Sequence, residues 1–460
     1  MNSSRVVSRM NFHEFSKSIS HSSANTLKRR GGEVLSGLVA TALVTRGIGT
    51  LPLSHDEFYT LNAVNNGPLS HLWEAPLVPY YTALWLWTGG GSLVTDEWLR
   101  FLSAVAVVVT VILVAATARL VSGARAAMAS GLLLAITPAV QVFGQMARPY
   151  ALGTLFFAVA TFFVVKAATL KQGKFWWAYG LALLAGTIVM PQGSAILVAH
   201  LVYLKVIGAP RKVIVSWVKG VLVLVPFMLV GFLLLILGTY RGMHEWLHHP
   251  GLLDLPRGIL WLASADAPSI TAAGAIGGAL LALGLLTVNS RALALGAGAG
   301  LLVVWAVSLG PTSFWFGQSF FPFVPMLALS AGLALSTYGS RVVVLVIVTL
   351  TLVSIPAFTE IRLPRENEPD MRRAAEIYVE NLQPGQAVFV FGVDDAYGLW
   401  PAVRHYFPDV PTPRLTSQPS IPYWAAEAKI ECSPIQEWDI GAQTQVRLCA
   451  PKGLEESGID

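Results

Sequence analysis

Charge is what this chain has least of. Lys, Arg, Asp and Glu make up 12% of its 460 residues, against about 25% in a soluble globular domain. Hydrophobic residues make up 54%, so most of the chain is predicted to face lipid or other protein rather than water. The net charge of +5 is small, and neither a compact basic domain nor a zinc-finger spacing is present, which excludes nucleic acid as a partner. Cysteine is scarce too. Cys432 and Cys449 are the only two, and their separation of 17 residues excludes a C-x-x-C redox motif. Two alternatives stay open: a disulfide, if that end lies outside the cytoplasm, or two unpaired thiols. No A-x-A cleavage site follows the polar, basic stretch 1–32 (Arg5, Arg9, Lys17, Lys28, Arg29, Arg30), which reads as a cytoplasmic tail rather than a signal peptide. No internal repeat marks the inverted halves of a transporter.

What the chain has is hydrophobic runs. A membrane-crossing helix needs about 20 mainly apolar residues. Such runs stand near 33–51, 100–118, 126–143, 149–168, 175–191, 193–210, 218–238, 270–288, 292–309, 319–338 and 341–358. With the N-terminus inside, Arg119, Arg125, Lys166, Lys171, Lys174, Lys205, Arg211, Lys212, Lys219, Arg291 and Arg341 fall in cytoplasmic turns, while the opposite turns carry few basic residues: Arg148, Arg241 and Arg257. One orientation therefore satisfies the positive-inside rule throughout. The expectation is a mainly α, polytopic transmembrane bundle of about 11 helices over 33–358 in the plasma (inner) membrane, with a small extracytoplasmic α/β domain over 359–460. Within that domain the spacing of Met371, Ala374, Ala375, Ile377 and Tyr378 predicts a helix over 370–382, and Ala387-Val-Phe-Val-Phe391 predicts a short strand. Two outer loops are predicted, 52–99 and 239–268. In the first, the aromatic, Pro-broken stretch Trp73–Trp87 reads as one or two short helices in the interface.

The residues with chemistry to offer lie on that outer side. Asp56 and Glu57 follow the first run, in His55-Asp-Glu-Phe-Tyr59. A carboxylate there can take the proton of an acceptor hydroxyl or hold a divalent cation beside a phosphate; an ordinary solvated loop pair is the plainer alternative. Arg148, in Gln145-Met-Ala-Arg-Pro-Tyr150 at the junction of two runs, can clamp a phosphate bidentately or serve as an interfacial anchor. His244, His248 and His249 cluster in the second loop, where His244-Glu245-Trp246-Leu247-His248 spells the H-E-x-x-H pattern of zinc proteases. Pro250-Gly251 ends that segment short of the regular helix the pattern requires, so an interfacial or acceptor-binding loop is the better reading. Gln318 precedes the Phe320-Phe-Pro-Phe-Val-Pro325 motif at the outer start of the tenth run. The runs are nearly free of ionisable residues, which argues against a transporter or flippase, where such residues mark the pathway. A non-catalytic envelope assembly protein is a further alternative.

Together these motifs resemble the polytopic GT-C glycosyltransferases that use polyprenyl-phosphate sugars, in the protein O-mannosyltransferase and aminoarabinose-transferase group. The resemblance rests on Asp56-Glu57-Phe58-Tyr59, on Pro76-Leu-Val-Pro-Tyr-Tyr81 followed by Leu84-Trp85 and Arg100-Phe-Leu-Ser103, on Ala147-Arg-Pro-Tyr-Ala-Leu152, and on the helix–turn–strand at 370–391. Two positions depart from the group's pattern: Met146 stands where a glutamate is usual, and Ser319-Phe320 where Arg-Tyr is usual. The resemblance implies inverting sugar transfer on the outer face, to a glycan, lipid or protein acceptor of the envelope. Asp56, flanked by Glu57, would be the catalytic base. Arg148, Arg100 and Tyr150 would bind the donor phosphate. His55, Tyr59, Glu74, Tyr80, Tyr81, His244, His248, His249 and Gln318 would bind acceptor or donor. No cofactor is implied with certainty; a divalent cation is the one candidate, and its ligands are unknown.

Overall fold

The computed structural model describes residues 30–70, 77–227, 249–252, 254–256, 258, 270–310, 317–360, 370–383, 386–389, 399–410, 414–415, 423–425, 434–439 and 445–449. Helix α1 spans 30–45. It is followed by two short helices, α2 (His55–Asn66) and α3 (Val78–Trp87), and by the long α4 (Asp96–Ala135). Then come α5 (Pro138–Gly144), α6 (Tyr150–Thr169), α7 (Trp176–Val189), α8 (Ile196–Val206) and α9 (Arg211–Leu222). The later bundle consists of α10 (Ile270–Leu285), α11 (Val288–Ser308), α12 (Gly317–Leu335) and α13 (Ser340–Glu360).

Among the described residues four helices are long and apolar enough to cross a membrane: α4, α6, Ser290–Ser308 within α11, and α12. The protein is a multi-pass membrane protein. Among the described residues the eleven apolar runs do not each form a separate long helix. Those at 100–118 and 126–143 are the two limbs of α4, continued by α5. Gly123, at φ 82° and ψ −164°, breaks α4 in a backbone region that L-residues avoid. The limbs fold back on each other: a methyl group on Gly131 would lie 2.9 Å from the Ala115 Cβ and 2.3 Å from the Ser36 Oγ. Only a hydrogen there lets the second limb close on both the first limb and α1. The runs at 175–191 and 193–210 form the shorter α7 and α8, joined by a 3-10 turn at Pro191–Ala195. The run 218–238 lies largely outside the described residues.

Burial separates the four long helices. In α12, 94% of the apolar window is enclosed by protein, against 50–56% in the other three. Helix α12 is thus the central post of the bundle and the others form its lipid-facing wall. Ser130 donates to the Leu329 carbonyl and Ser330 to the Ser290 carbonyl, tying α12 to α4 and α11. His200 lies inside the bundle, between the Thr161 hydroxyl (2.9 Å) and the Tyr179 hydroxyl (3.1 Å). Thr161 spends its own proton on the Phe157 carbonyl, so it accepts from the imidazole. Both ring nitrogens are thus partnered, as expected of a buried structural histidine.

The helix ends sort by charge. Arg119 pairs with Glu33, and Arg125 donates to the Ser336 and Tyr338 carbonyls. Lys166 and Lys174 lie over the Phe175 ring. The opposite ends of the same helices converge on 46–54, 96–100, 145–150 and 190. This is the end that carries α2 and α3. There Trp87 stacks on Trp98 and donates its indole N–H to the Trp98 carbonyl.

The C-terminal unit adds α14 (Met371–Asn381), strand β1 (Ala387–Phe389), α15 (Leu399–Tyr406), and strands β2 (Arg414–Leu415), β3 (Tyr423–Ala425), β4 (Pro434–Asp439) and β5 (Gln445–Cys449). The sheet order is β2-β1-β3-β5-β4. Strand β1 runs parallel to both neighbours, and β3, β5 and β4 are antiparallel. Trp424 is fully buried between Tyr378 and Trp438, and its N–H donates to Gln386. Cys449 is disulfide-bonded; Cys432, the chain's other cysteine, lies outside the described residues. The core of this unit does not stop at its own edge. Met371, Ala374, Tyr378, Ala402 and Val403 pack in one cluster with Leu53, Phe58, Leu61, Tyr80, Tyr81 and Leu84.

Candidate active site

The first element of the site is the start of α2. Ser54 and Glu57 form a capping box: the Glu57 amide donates to the Ser54 hydroxyl, and the Ser54 amide to the Glu57 carboxylate (3.0 Å). This reciprocal pairing starts a helix, and it turns Glu57 inward. Its neighbour Asp56, one residue earlier on the helix, points elsewhere.

Glu57 and Arg100 are a closed pair. The Arg100 Nε and Nη2 donate to the two Glu57 oxygens at 2.8 and 2.7 Å, with side chains 2–4% exposed. The Ala147 amide adds a bond to Glu57 at 2.8 Å. The other Arg100 donors go to the carbonyls of Ile48, Leu51 and Pro52. All five N–H groups of a guanidinium are thereby used. Burial on its own would raise the Glu57 pKa; the Arg100 charge, its hydrogen bonds and two backbone amides outweigh this and hold the carboxyl below its ordinary value. Arg100, expected to help hold the donor phosphate, has no donor left for one, and Glu57 is enclosed rather than beside a substrate. Both brace the site.

Asp56 and Arg148 are placed differently. They are 92 residues apart in sequence and meet here. Arg148 Nη2 lies 3.5 Å from Asp56 Oδ2. Its Nη1 donates to the Asp56 carbonyl at 3.1 Å and approaches the Thr60 hydroxyl at 3.5 Å. The Arg148 side chain is 9% exposed and that of Asp56 47%. The arginine therefore forms a buried positive floor, and the carboxylate stands at its open edge. Ala147, the residue before Arg148, is the one whose amide binds Glu57, so the braced pair also fixes the backbone that presents Arg148.

Tyr80 and Tyr81 are fully buried, with ring centroids 6.2 Å apart. Burial pushes the Tyr80 phenol up, and Arg148, Glu57 and Tyr150 lie within electrostatic range of it. The Tyr80 hydroxyl is enclosed beside the Ser103 hydroxyl, which opposes the upward shift. Tyr150 packs edge-on against Phe143 at 5.5 Å. Tyr59 is half-buried on the turn after Asp56. Gln318 opens α12, close to the 191–195 turn, and its side-chain oxygen is enclosed without a partner among the described residues. His249 is exposed and bonds the Ser308 carbonyl at 3.2 Å. Glu74, His244, Glu245 and His248 lie outside the described residues, as does the His55 side chain. Among the described residues no three His, Cys, Asp or Glu side chains gather as metal ligands.

Sequence reasoning treated Asp56 and Glu57 as a flanking loop pair. The signal it missed is the S-x-x-E spacing of Ser54 and Glu57, which announces a helix and turns the two acids about 100° apart. It also missed Asp96, a 5% exposed carboxylate at the start of α4 that bonds Arg372, His405 and Tyr406. No local pattern marks it, because its partners are some 280–310 positions away.

Residues 74–235 match the family model for dolichyl-phosphate-mannose-protein mannosyltransferases. The structure of ArnT from Cupriavidus metallidurans bound to undecaprenyl phosphate superposes with a TM-score of 0.58, at 14% identity, over 92% of this chain and 98% of that one. Its apo form gives 0.57 at 14% identity, over 84% and 85%. The chain has a GT-C fold. A comparison with curated protein sequences finds no significant match. At this identity the likeness establishes architecture, and the resemblance read from the four sequence motifs holds in the fold.

Proposed function

We propose that the protein is a polyprenyl-phosphate-sugar-dependent glycosyltransferase with Asp56 as base and Arg148 as the counter-charge for the leaving phosphate. The observation that carries the proposal is the meeting of a half-exposed carboxylate with a buried guanidinium 3.5 Å away at the end of the bundle away from the lysine-rich turns. The acceptor hydroxyl attacks the anomeric carbon. Its proton passes to the Asp56 carboxylate as the new C–O bond forms. The bond from the anomeric carbon to the phosphate oxygen breaks, and the polyprenyl phosphate leaves with the extra negative charge beside Arg148. A single displacement inverts the anomeric centre. The leaving group is already a phosphate, so positioning and charge stabilisation supply most of the catalysis.

The sorting of basic residues supports an orientation with the N-terminus cytoplasmic and with the site and residues 359–460 extracytoplasmic, in the plasma membrane. The polyprenyl chain of the donor would lie along the apolar helix wall, and the acceptor would be an envelope glycan, lipid or protein. The family match at 74–235 favours mannose as the sugar. The test is transfer of labelled mannose from a polyprenyl-phosphate mannose donor by the purified protein and by Asp56→Asn. Transfer by the wild type that is lost in the variant, with the melting profile unchanged, supports the assignment. Equal transfer by both removes Asp56 as the base.

A further inference from the structure

Five successive backbone carbonyls lead into the turn that carries Asp56, and two arginines take all five. From inside the bundle, Arg100 holds Ile48 at 3.1 Å, Leu51 at 2.8 Å and Pro52 at 2.8 Å. From the C-terminal unit, Arg372 holds Gly49 at 3.2 Å and Thr50 at 3.3 Å. This stretch is neither helix nor strand, so its carbonyls depend on partners from elsewhere.

Arg372 is itself held. Its Nη2 lies 2.6 Å from Asp96 Oδ2, and its guanidinium sits 5.1 Å from the Tyr406 ring centroid. The other Asp96 oxygen is 2.6 Å from His405 Nε2. The Tyr406 hydroxyl donates to Asp96 and accepts from the Leu53 amide at 3.1 Å. Asp96 and Arg100 are four residues apart on one face of α4, so both halves of the clamp bear on the same helical turn.

We propose that Arg372 is a positioning residue for Asp56. With Arg100 it fixes the 48–52 backbone and sets where α2 begins relative to Arg148. The kinetic part of this proposal rests on the sugar-transfer reading; the structural part does not. A mere docking contact would need only the Asp96 ion pair. The guanidinium instead divides its donors between that carboxylate and two carbonyls. Lysine can keep the charge opposite Asp96, but as a compact ammonium it lacks the planar fork that spans all three acceptors.

The test uses the full-length protein in nanodiscs, with Arg372→Lys, Arg372→Gln and, as a surface control on the same helix, Arg373→Gln. Amide hydrogen exchange is measured on peptides covering 51–61, together with kcat and donor KM for polyprenyl-phosphate mannose. Both Arg372 variants are expected to exchange about tenfold faster in that segment and to lose about tenfold or more in kcat with donor KM within about twofold, the pattern of a misplaced reacting group. The Arg373 variant is expected to match the wild type. If Arg372→Gln fails to fold, Arg372→Lys alone decides. Unchanged exchange in Arg372→Lys overturns the proposal. So does faster exchange with unchanged kcat, or an equal effect in Arg373→Gln. If the wild type transfers no sugar while exchange still rises in the Arg372 variants, the sugar-transfer reading and the catalytic part of the proposal fall, and the clamp on the backbone stands.

Discussion

Replacing Arg100 by methionine removes every contact of the closed pair at once. Glu57 would keep only the Ala147 and Ser54 amides, and three carbonyls would lose their donor. Leaving one member of a buried ion pair uncompensated costs about 3–5 kcal/mol. At about 2 °C per kcal/mol for a long chain, the midpoint of thermal unfolding should fall by roughly 6–10 °C. The assay is the melting profile in detergent for Arg100→Met, Glu57→Leu and the double variant. Residues that bond each other directly are coupled, so the cycle should leave an interaction energy of about 2 kcal/mol or more. The pH dependence has a definite sign. Glu57 is held below its ordinary pKa in the folded protein, so its contribution is fully present above the unfolded-state value. It is lost as pH falls through the folded-state value. Wild type should therefore soften in acid below the ordinary glutamate range, and Glu57→Gln should lack that component. A cycle that closes to zero, or an Arg100→Met midpoint within about 1 °C of wild type by the same conversion, would refute the bracing role.

Three further outcomes are expected. Asp56→Asn should lower sugar transfer by about 100- to 10,000-fold, the usual worth of a general base, while the melting midpoint stays near wild type because the side chain is half exposed. Arg148→Lys should retain more transfer than Arg148→Met, and both should weaken inorganic phosphate and polyprenyl phosphate as inhibitors; equal inhibition constants would remove Arg148 from the phosphate site. Gly131→Val should cost about 1–3 kcal/mol through overpacking against Ser36 and Ala115, read as a lowered melting midpoint without a change in donor KM.

The bundle was legible because hydrophobicity is a property of runs, and runs survive without knowledge of neighbours. The helix predicted at 370–382 and the strand beginning at 387 were legible for the same reason. Other features were not. A period of apolar residues does not distinguish a lipid-facing helix from the enclosed α12, since both are apolar all round. The break between the runs 100–118 and 126–143 was legible, but that a single residue, Gly123, makes the turn inside one element was not. At the site, Asp56 and Arg148 could be named because each is a charge in an otherwise uncharged neighbourhood. The separate duties of Asp56 and Glu57 depend on which way α2 winds. The partners of Arg100 are mostly backbone carbonyls, which every residue has and which therefore leave no trace in the letters. The second half of the sheet was unreadable for a related reason: β2, β3 and part of β4 are too short for alternation to show.

The apolar cluster that joins the two ends of the chain sets the order in which the molecule is completed. The helix carrying Asp56 leaves the ribosome early, yet Leu53 and Phe58 share one buried cluster with Met371, Tyr378 and Ala402, which are synthesised more than 300 positions later. Until those residues arrive, the apolar sides of α2 and α3 lack the partners they have in the finished molecule. A chain that stops short of residue 370 would have its bundle helices but not the buried apolar surface against which the α2 region is seated.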